Sequence, residues 1–253
     1  PPRSTLFPYT TLFRSVSSFA VVYYSGSLAL ALLTAVAVGG LLSLIHAFLT
    51  VTMRANQVVS GLAITLFGSG FASFLGQRLG PVSNGRYLVG LTGPRFAPID
   101  AGALGRIPVL GAFLNQDLLT YGIYILIPLA WFYLYRTRNG LWLRAVGENP
   151  RTADAMGVPV FRAKYLYTVV GGMLTALGGA HLSLAYTPGW SENITGGRGW
   201  IVIALVIFSM WNPARAITGA LIFGGINAVQ FRLQASGRSE EHTSELQSPN
   251  TIS

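Results

Sequence analysis

Long apolar runs alternate with short polar breaks along this chain. Six runs share this character: residues 19–48, 58–75, 118–135, 165–186, 200–210 and 216–231. A helix needs roughly 20 apolar residues to cross the hydrocarbon core of a bilayer, so four runs are long enough to span it. The run at 200–210 is too short to cross alone, and it reads as a half-helix or an interrupted helix. The pattern predicts an all-α polytopic membrane protein with about five to six apolar helical segments, some short or interrupted.

The composition supports a membrane protein. Of the 253 residues, 51% are hydrophobic and 10% are charged, and the mean hydropathy is +0.52. Soluble domains carry about 25% charged residues. The net charge of +9 could indicate nucleic-acid binding, but the cations lie in loops between apolar runs and follow membrane topology. The absence of cysteine excludes disulfides, thiol nucleophiles and Cys-ligated zinc.

The most informative polar segment is the loop at 136–164. Its acids are Glu148 and Asp154, and its cations are Arg136, Arg138, Arg144, Arg151, Arg162 and Lys164. A short loop rich in Arg and Lys indicates the cytoplasmic side, so the loops at 77–117 and 187–199 are expected outside. Four arginines in the 77–117 loop oppose this orientation.

The loop at 136–164 contains start and stop signals for a short helix. Asn149 can cap it, Pro150 suits the first turn, and Gly157 ends it. Ala153 and Gly157 are four residues apart, so we expect a partner surface to approach closely along their shared face. A compact helix at the surface of a membrane helix bundle can serve as a binding site for a soluble partner.

Catalytic signatures do not stand out. Lys164 follows Phe-Arg-Ala, so the phosphate-binding loop of nucleotide hydrolases is absent, and no metalloprotease or hydrolase pattern is found. We therefore expect a non-enzyme without cofactor or metal. His46 and His181 have no acid four residues away, and we interpret them as structural or interfacial histidines.

A few uncharged polar residues are candidates for a substrate path. They are Asn56, Gln57, Asn227 and Gln230, and such groups suit a neutral solute. Asn227 and Gln230 lie one turn apart, so they either face a polar path or join helices by hydrogen bonds.

Several motifs carry a family resemblance. Residues 147–158 read GENPRTADAMGV, and residues 54–63 read RANQVVSGLA. Residues 182–188 read LSLAYTP and continue to WSEN at 190–193, while GRGWI at 197–201 is followed by WNP at 211–213. In this order the motifs resemble ABC-transporter permeases of the simple-sugar and nucleoside group, within the branched-chain amino acid permease superfamily.

The resemblance implies a transport subunit in the bacterial plasma (inner) membrane, surrounded by lipid, for nucleosides or simple sugars. It implies three protein partners: an ATPase subunit, a second permease subunit and an extracytoplasmic substrate-binding protein. The ATPase-coupling residues would be Arg144, Gly147, Glu148, Asn149, Pro150, Ala153, Asp154 and Gly157. An ion-gradient-driven secondary transporter is the alternative, which intramembrane acids would favour. A non-transporting scaffold is a third hypothesis.

Both ends of the chain read as translated sequencing-library adapters. The strings are TLFPYTTLFRS at 5–15 and RSEEHTSELQS at 238–248. Such segments are expected not to belong to the natural protein. We therefore expect residues 1–15 to be non-structural, residues 16–237 to form a partial transmembrane permease domain, and residues 238–253 to be disordered. We expect the natural protein to be longer.

Overall fold

The regular secondary structure in the described part of the chain is helical, apart from one isolated bridge. The computed structural model describes residues 10–82, 85, 87–100, 102, 111, 113–187, 189–191 and 198–246. In these ranges, β pairing is limited to an isolated bridge between Val89 and Trp190. The helices are α1 (Thr10–Ser25), α2 (Leu28–Ala47), α3 (Gln57–Arg78), α4 (Leu118–Arg136), α5 (Arg138–Glu148), α6 (Pro150–Ala155), α7 (Val160–His181), α8 (Arg198–Phe208) and α9 (Pro213–Leu246).

Four helical segments are long and apolar enough to cross a membrane. They are Leu28–Thr52, Gln57–Arg78, Leu118–Arg136 and Val160–Tyr186. The first and the last include a π-helical turn that continues α2 through Phe48–Thr52 and α7 through Leu182–Tyr186. The predicted all-α polytopic architecture is confirmed, and α8 has the 11 residues of a short segment.

The first apolar run is divided, so its prediction as one span is wrong. α1 ends at Ser25, Gly26 takes the left-handed conformation with φ 68°, and α2 begins after Ser27. The Ser27 hydroxyl accepts a hydrogen bond from the Leu30 amide at 3.4 Å. Glycine tolerates positive φ and serine favours helix N-caps. The segment Ser25-Gly26-Ser27 therefore breaks the helix, although the residues around it are apolar.

Both terminal segments contain helix that the sequence does not predict. α1 begins at Thr10, and Arg14 and Ser15 are buried. One guanidinium nitrogen of Arg14 donates to the Thr175 hydroxyl at 2.6 Å. α9 continues to Leu246 through a segment that contains the helix formers Glu and Leu. The adapter origin of both ends stays a prediction, and residues 1–9 and 247–253 lie outside the described ranges.

Small residues bring α2 and α7 into close antiparallel contact. A Cβ added to Gly172 would lie 1.4 Å from the Ser43 hydroxyl oxygen. One added to Gly39 would lie 2.4 Å from the Ala176 Cβ. Small side chains allow two helix backbones to approach closely, which is how helices associate where lipid removes the hydrophobic driving force. The two helices therefore cross at close range within the first unit.

Contacts between the helix ends define two sides of the first unit. On one side the Thr52 and Tyr165 hydroxyls are hydrogen-bonded, which joins the end of α2 to the start of α7. On the other side Asp117 contacts His181, and Trp190 lies against Gly76. Residue 54 and the loop at 136–164 therefore share one side, as the predicted topology requires.

The chain divides into two compact units, Pro1–Val202 and Ile203–Ser253. In the second unit a tight turn precedes α9, with Met210 and Trp211 at φ 50° and 62°. Gly219 lies close to Leu205 and Phe208, because a Cβ there would meet their side chains at 3.3 and 3.4 Å. This glycine lets α9 pack against the end of α8.

Candidate functional site

The loop at 136–164 is folded, and its first part is the helix α5. The Thr137 hydroxyl accepts from the Gly140 amide at 3.1 Å and donates to the Tyr133 carbonyl at 2.6 Å. A Cβ on Gly140 would lie 2.2 Å from the Tyr133 carbonyl oxygen. α5 is therefore fixed against the end of α4. The apolar pattern predicts no helix at α5, although Thr137 is a recognisable N-cap.

The short helix α6 follows with the predicted start, and it ends at Ala155, two residues before the predicted stop at Gly157. The Asn149 side-chain oxygen accepts from the Arg151 and Thr152 amides at 3.1 and 3.2 Å, and Pro150 occupies the first turn. The helix ends at Ala155, and Gly157, two residues later, takes a left-handed φ of 82°. The predicted cap and stop residues are confirmed.

Hydrogen bonds after α6 form a Schellman motif. The Val158 amide donates to the Ala153 carbonyl at 3.0 Å, and the Gly157 amide donates to the Asp154 carbonyl at 2.9 Å. Val158 and Ala153 are buried together with Val146, which gives the motif its apolar contact. The expected approach of a partner at Ala153 is therefore wrong, because this side chain faces the chain's own α5.

The outward surface of α6 carries different residues. Arg151, Thr152 and Asp154 are exposed, and Gly157 is exposed beside them. Met156, just after the helix, is 80% exposed. The Met156 side chain is therefore accessible to another surface.

Hydrogen bonds connect the loop to two spanning helices. The Tyr167 hydroxyl of α7 donates to the Asn139 carbonyl at 3.2 Å, and it also lies 2.9 Å from the Tyr133 hydroxyl of α4. Hydrogen bonds of the Tyr167 hydroxyl therefore connect α7 with both α5 and α4. Glu148 and Arg144 are exposed on the same loop, and Gly147 is half-buried.

A second polar cluster lies at the opposite ends of α4 and α7. One Asp117 oxygen accepts from the Thr120 hydroxyl at 2.7 Å and lies 3.2 Å from the His181 Nε2. Burial raises the pKa of the Asp117 carboxyl, but hydrogen bonds from Thr120 and His181 outweigh it, and the net pKa is lowered. His181 therefore does have an acidic partner, but this partner lies 64 residues away in the chain. His46 is buried, with its Nδ1 3.1 Å from the Ser60 hydroxyl.

The predicted path residues occupy different places. Asn56 is exposed and caps α3, where its side-chain oxygen accepts from the Val58 amide at 2.9 Å. Gln57 is half-buried in the first turn of α3. On α9, in the second unit, Asn227 is half-buried and Gln230 is exposed. Their role in a substrate path stays a prediction.

A metal centre is not found in the described part of the chain. No group of three or more His, Asp or Glu residues there is arranged to hold an ion.

Comparison with known proteins assigns the family. Residues 11–245 match the family described as the permease component of branched-chain amino acid transport systems. The chain belongs to this permease family. As a permease-family member it is a multi-pass membrane protein, in agreement with its four candidate spans.

The relatives of this chain are named as permeases for different solutes. A putative glucose ABC transporter permease of Haloferax volcanii is 39% identical over 88% of this chain and 67% of its own length. A guanosine ABC transporter permease of Bacillus subtilis is 35% identical over 77% of the chain and 60% of its own length. A nucleoside ABC transporter permease of Lactococcus lactis is 34% identical over 77% of the chain and 61% of its own length. The chain thus spans about three fifths to two thirds of these relatives, and no solved structure gives a significant match.

Proposed function

We propose that this permease-family chain forms a membrane-spanning part of an ATP-binding-cassette importer for nucleosides or simple sugars. The observation that carries the proposal is the capped helix α6, held on α5 and bonded through it to α4 and α7. A chain without a phosphate-binding loop needs an external source of energy, and this helix is a contact point through which that energy can be delivered.

The partners follow from the same proposal. An ATPase subunit would contact α6 on the cytoplasmic side, and a second permease subunit would complete the path. An extracytoplasmic binding protein would deliver the solute on the other side. The location would be the plasma (inner) membrane. The names of the relatives support glucose or a nucleoside as the solute class.

An ion-gradient-driven transporter is less well supported. It needs a titratable group that loads and releases an ion within the span. Asp117 caps α4 just before its first residue and is bonded to Thr120 and His181, which suits a structural carboxylate.

The energy source can be tested in reconstituted vesicles. The chain would be assembled with its ATPase, second permease and binding protein, and uptake of labelled guanosine and glucose would be followed. We expect uptake to require hydrolysable ATP inside the ATPase-facing compartment and to persist with a protonophore. Uptake driven by an imposed ion gradient without ATP would contradict the proposal.

The contact role of α6 can be tested at Met156. Met156→Ala removes the exposed side chain without touching the buried cluster, so we expect weaker ATPase binding, with uptake reduced several-fold. Val82→Ala is the matched control, because Val82 is 77% exposed on the opposite side of the unit. Equal uptake and equal ATPase binding in both variants would exclude Met156 as a contact.

A further inference from the structure

The exposed surface of α5 combines apolar and basic residues. Leu141 and Trp142 are 57% and 44% exposed. Arg138 and Arg144 are exposed on the same helix. The opposite surface of α5 is occupied, because Gly140 lies against the end of α4 and Val146 belongs to the buried cluster with Ala153. We give the name α5 face to these exposed residues together with the exposed Arg136 at the end of α4: Arg136, Arg138, Leu141, Trp142 and Arg144.

The position of α5 places this face at the boundary of the bilayer. α4 has 19 residues. At 1.5 Å per residue its length is about 28 Å, close to the thickness of the hydrocarbon core. α5 begins at Arg138, one residue beyond Thr137, where α4 has ended. The bond between Tyr167 and the Asn139 carbonyl keeps α5 at this level.

Aromatic and basic side chains near the end of α4 also suit a position at the boundary of the bilayer. The rings of Trp131 and Tyr135 are 5.8 Å apart, and the Arg144 guanidinium lies 4.9 Å from the Tyr135 ring centroid. Trp and Tyr concentrate at membrane interfaces, where the ring is half in hydrocarbon and half in water. The cation–π contact holds Arg144 toward the spanning helix instead of free solvent.

The charge of the α5 face selects the kind of headgroup. Three arginines stand against the nearby Glu148. An exposed helix surface that mixes Trp and Leu with Arg lies in the interface plane and is attracted by anionic lipids. Guanidinium groups also form paired hydrogen bonds with phosphate oxygens.

We propose that the α5 face is a binding site for the phosphate headgroup of an anionic phospholipid in the cytoplasmic leaflet. Arg138 and Arg144 contact the phosphate, while Trp142 and Leu141 enter the acyl boundary. Hydrogen bonds connect α5 to both α4 and α7, and α6 packs on α5. A lipid bound to α5 therefore also stabilises the position of α6. The site concerns lipid and does not depend on which solute is carried.

Lipid retention tests the charge requirement. The full chain would be purified from mixed phosphatidylglycerol and phosphatidylcholine bilayers, and retained lipid would be measured by native mass spectrometry. For Arg138→Gln with Arg144→Gln we expect the preference for phosphatidylglycerol to fall roughly tenfold or more. The matched control, Arg151→Gln with Arg162→Gln, removes two exposed cations of the same loop and should change the preference less than about twofold.

Two further measurements test the charge and the membrane depth of the α5 face. Arg138→Lys with Arg144→Lys keeps both charges, so it should retain most of the preference for phosphatidylglycerol. Acyl chains brominated near the headgroup should quench the fluorescence that Trp142→Phe removes.

Three outcomes would overturn the lipid site. The first is an equal loss of preference in the test and control variants, and the second is an unquenched Trp142. The third is an unchanged lipid preference together with lost binding of a purified ATPase subunit, which would make the α5 face a protein interface.

Discussion

Asn149 is the residue on which the geometry of α6 depends most directly. It ends α5 and caps α6, and its side-chain oxygen accepts two amide hydrogen bonds. A six-residue helix has few internal hydrogen bonds, so the loss of its cap is felt along its whole length.

We expect Asn149→Ala to fray α6 at a cost of about 0.5–2 kcal/mol, whereas Asn149→Asp should preserve it because aspartate caps equally well. Amide hydrogen exchange at Arg151 and Thr152 measures the effect. Exchange should accelerate in the alanine variant only. Unchanged protection in Asn149→Ala would mean that the cap is not what holds this helix.

Asp117 provides a pH-dependent contribution to stability. Its folded pKa lies below the unfolded value of 3.8. The contribution is therefore fully present above that value and is lost as the pH falls through the lower, folded pKa. Asp117→Asn keeps an N-cap but removes the charge that faces His181.

We expect the difference in melting temperature between the wild type and Asp117→Asn to be present from neutral pH down to about pH 4 and to shrink below about pH 4. Thermal melting in detergent across this range is the measurement. A difference that stays constant on acidification would show that the ionised carboxylate does not stabilise the fold.

At the level of elements, the contact between α2 and α7 rests on glycines that cannot be enlarged. Gly172 meets Ser43, whereas its neighbour Gly171 has open space around its Cβ position. This pair offers a matched comparison within one helix, since both changes add one methyl group.

We expect Gly172→Ala to destabilise the first unit by about 1–3 kcal/mol, because α2 must move away. Gly171→Ala should be neutral or stabilising by up to about 1 kcal/mol, because alanine favours the helix. Thermal melting of both variants in the same detergent decides the matter. Equal melting temperatures would contradict the close contact between Gly172 and Ser43.

The elements also show what the sequence could predict. Spans at α3, α4 and α7 follow from uninterrupted apolar runs, and the ends of α6 follow from Asn149 and Gly157, since both are local signals. The break at Gly26 does not follow from the same reasoning, because the long apolar run outweighs its turn residues.

The contacts within the candidate site are harder to foresee. The Ala153 side chain points inward because it packs against Val146 and Val158, which lie in the segments before and after α6. The partner of His181 is 64 residues distant. Such pairings arise from tertiary packing and leave no periodic trace in the sequence.

For the whole molecule, the orientation in the membrane is the property that the proposed function needs. The chain has no cysteine, so a single introduced cysteine reports on one position. Asn139 and Val82 are both exposed, and they lie on opposite sides of the first unit.

We expect an impermeant thiol reagent added to intact cells to label Val82→Cys efficiently and Asn139→Cys only after permeabilisation. The reason is the concentration of six cations in the loop at 136–164. The reverse pattern would invert the topology and contradict the proposed ATPase contact at α6.

The contact of α2 with α7 also has a consequence for biosynthesis. Gly39 precedes Gly172 by 133 residues. At roughly 5–20 residues per second, the ribosome needs on the order of 7–27 seconds to synthesise the intervening chain. During that interval α2 is already inserted while its glycine surface lacks the helix that will cover it. An insertase or membrane chaperone that shelters α2 during translation should therefore raise the yield of this chain more than that of proteins whose helices pair with their immediate neighbours.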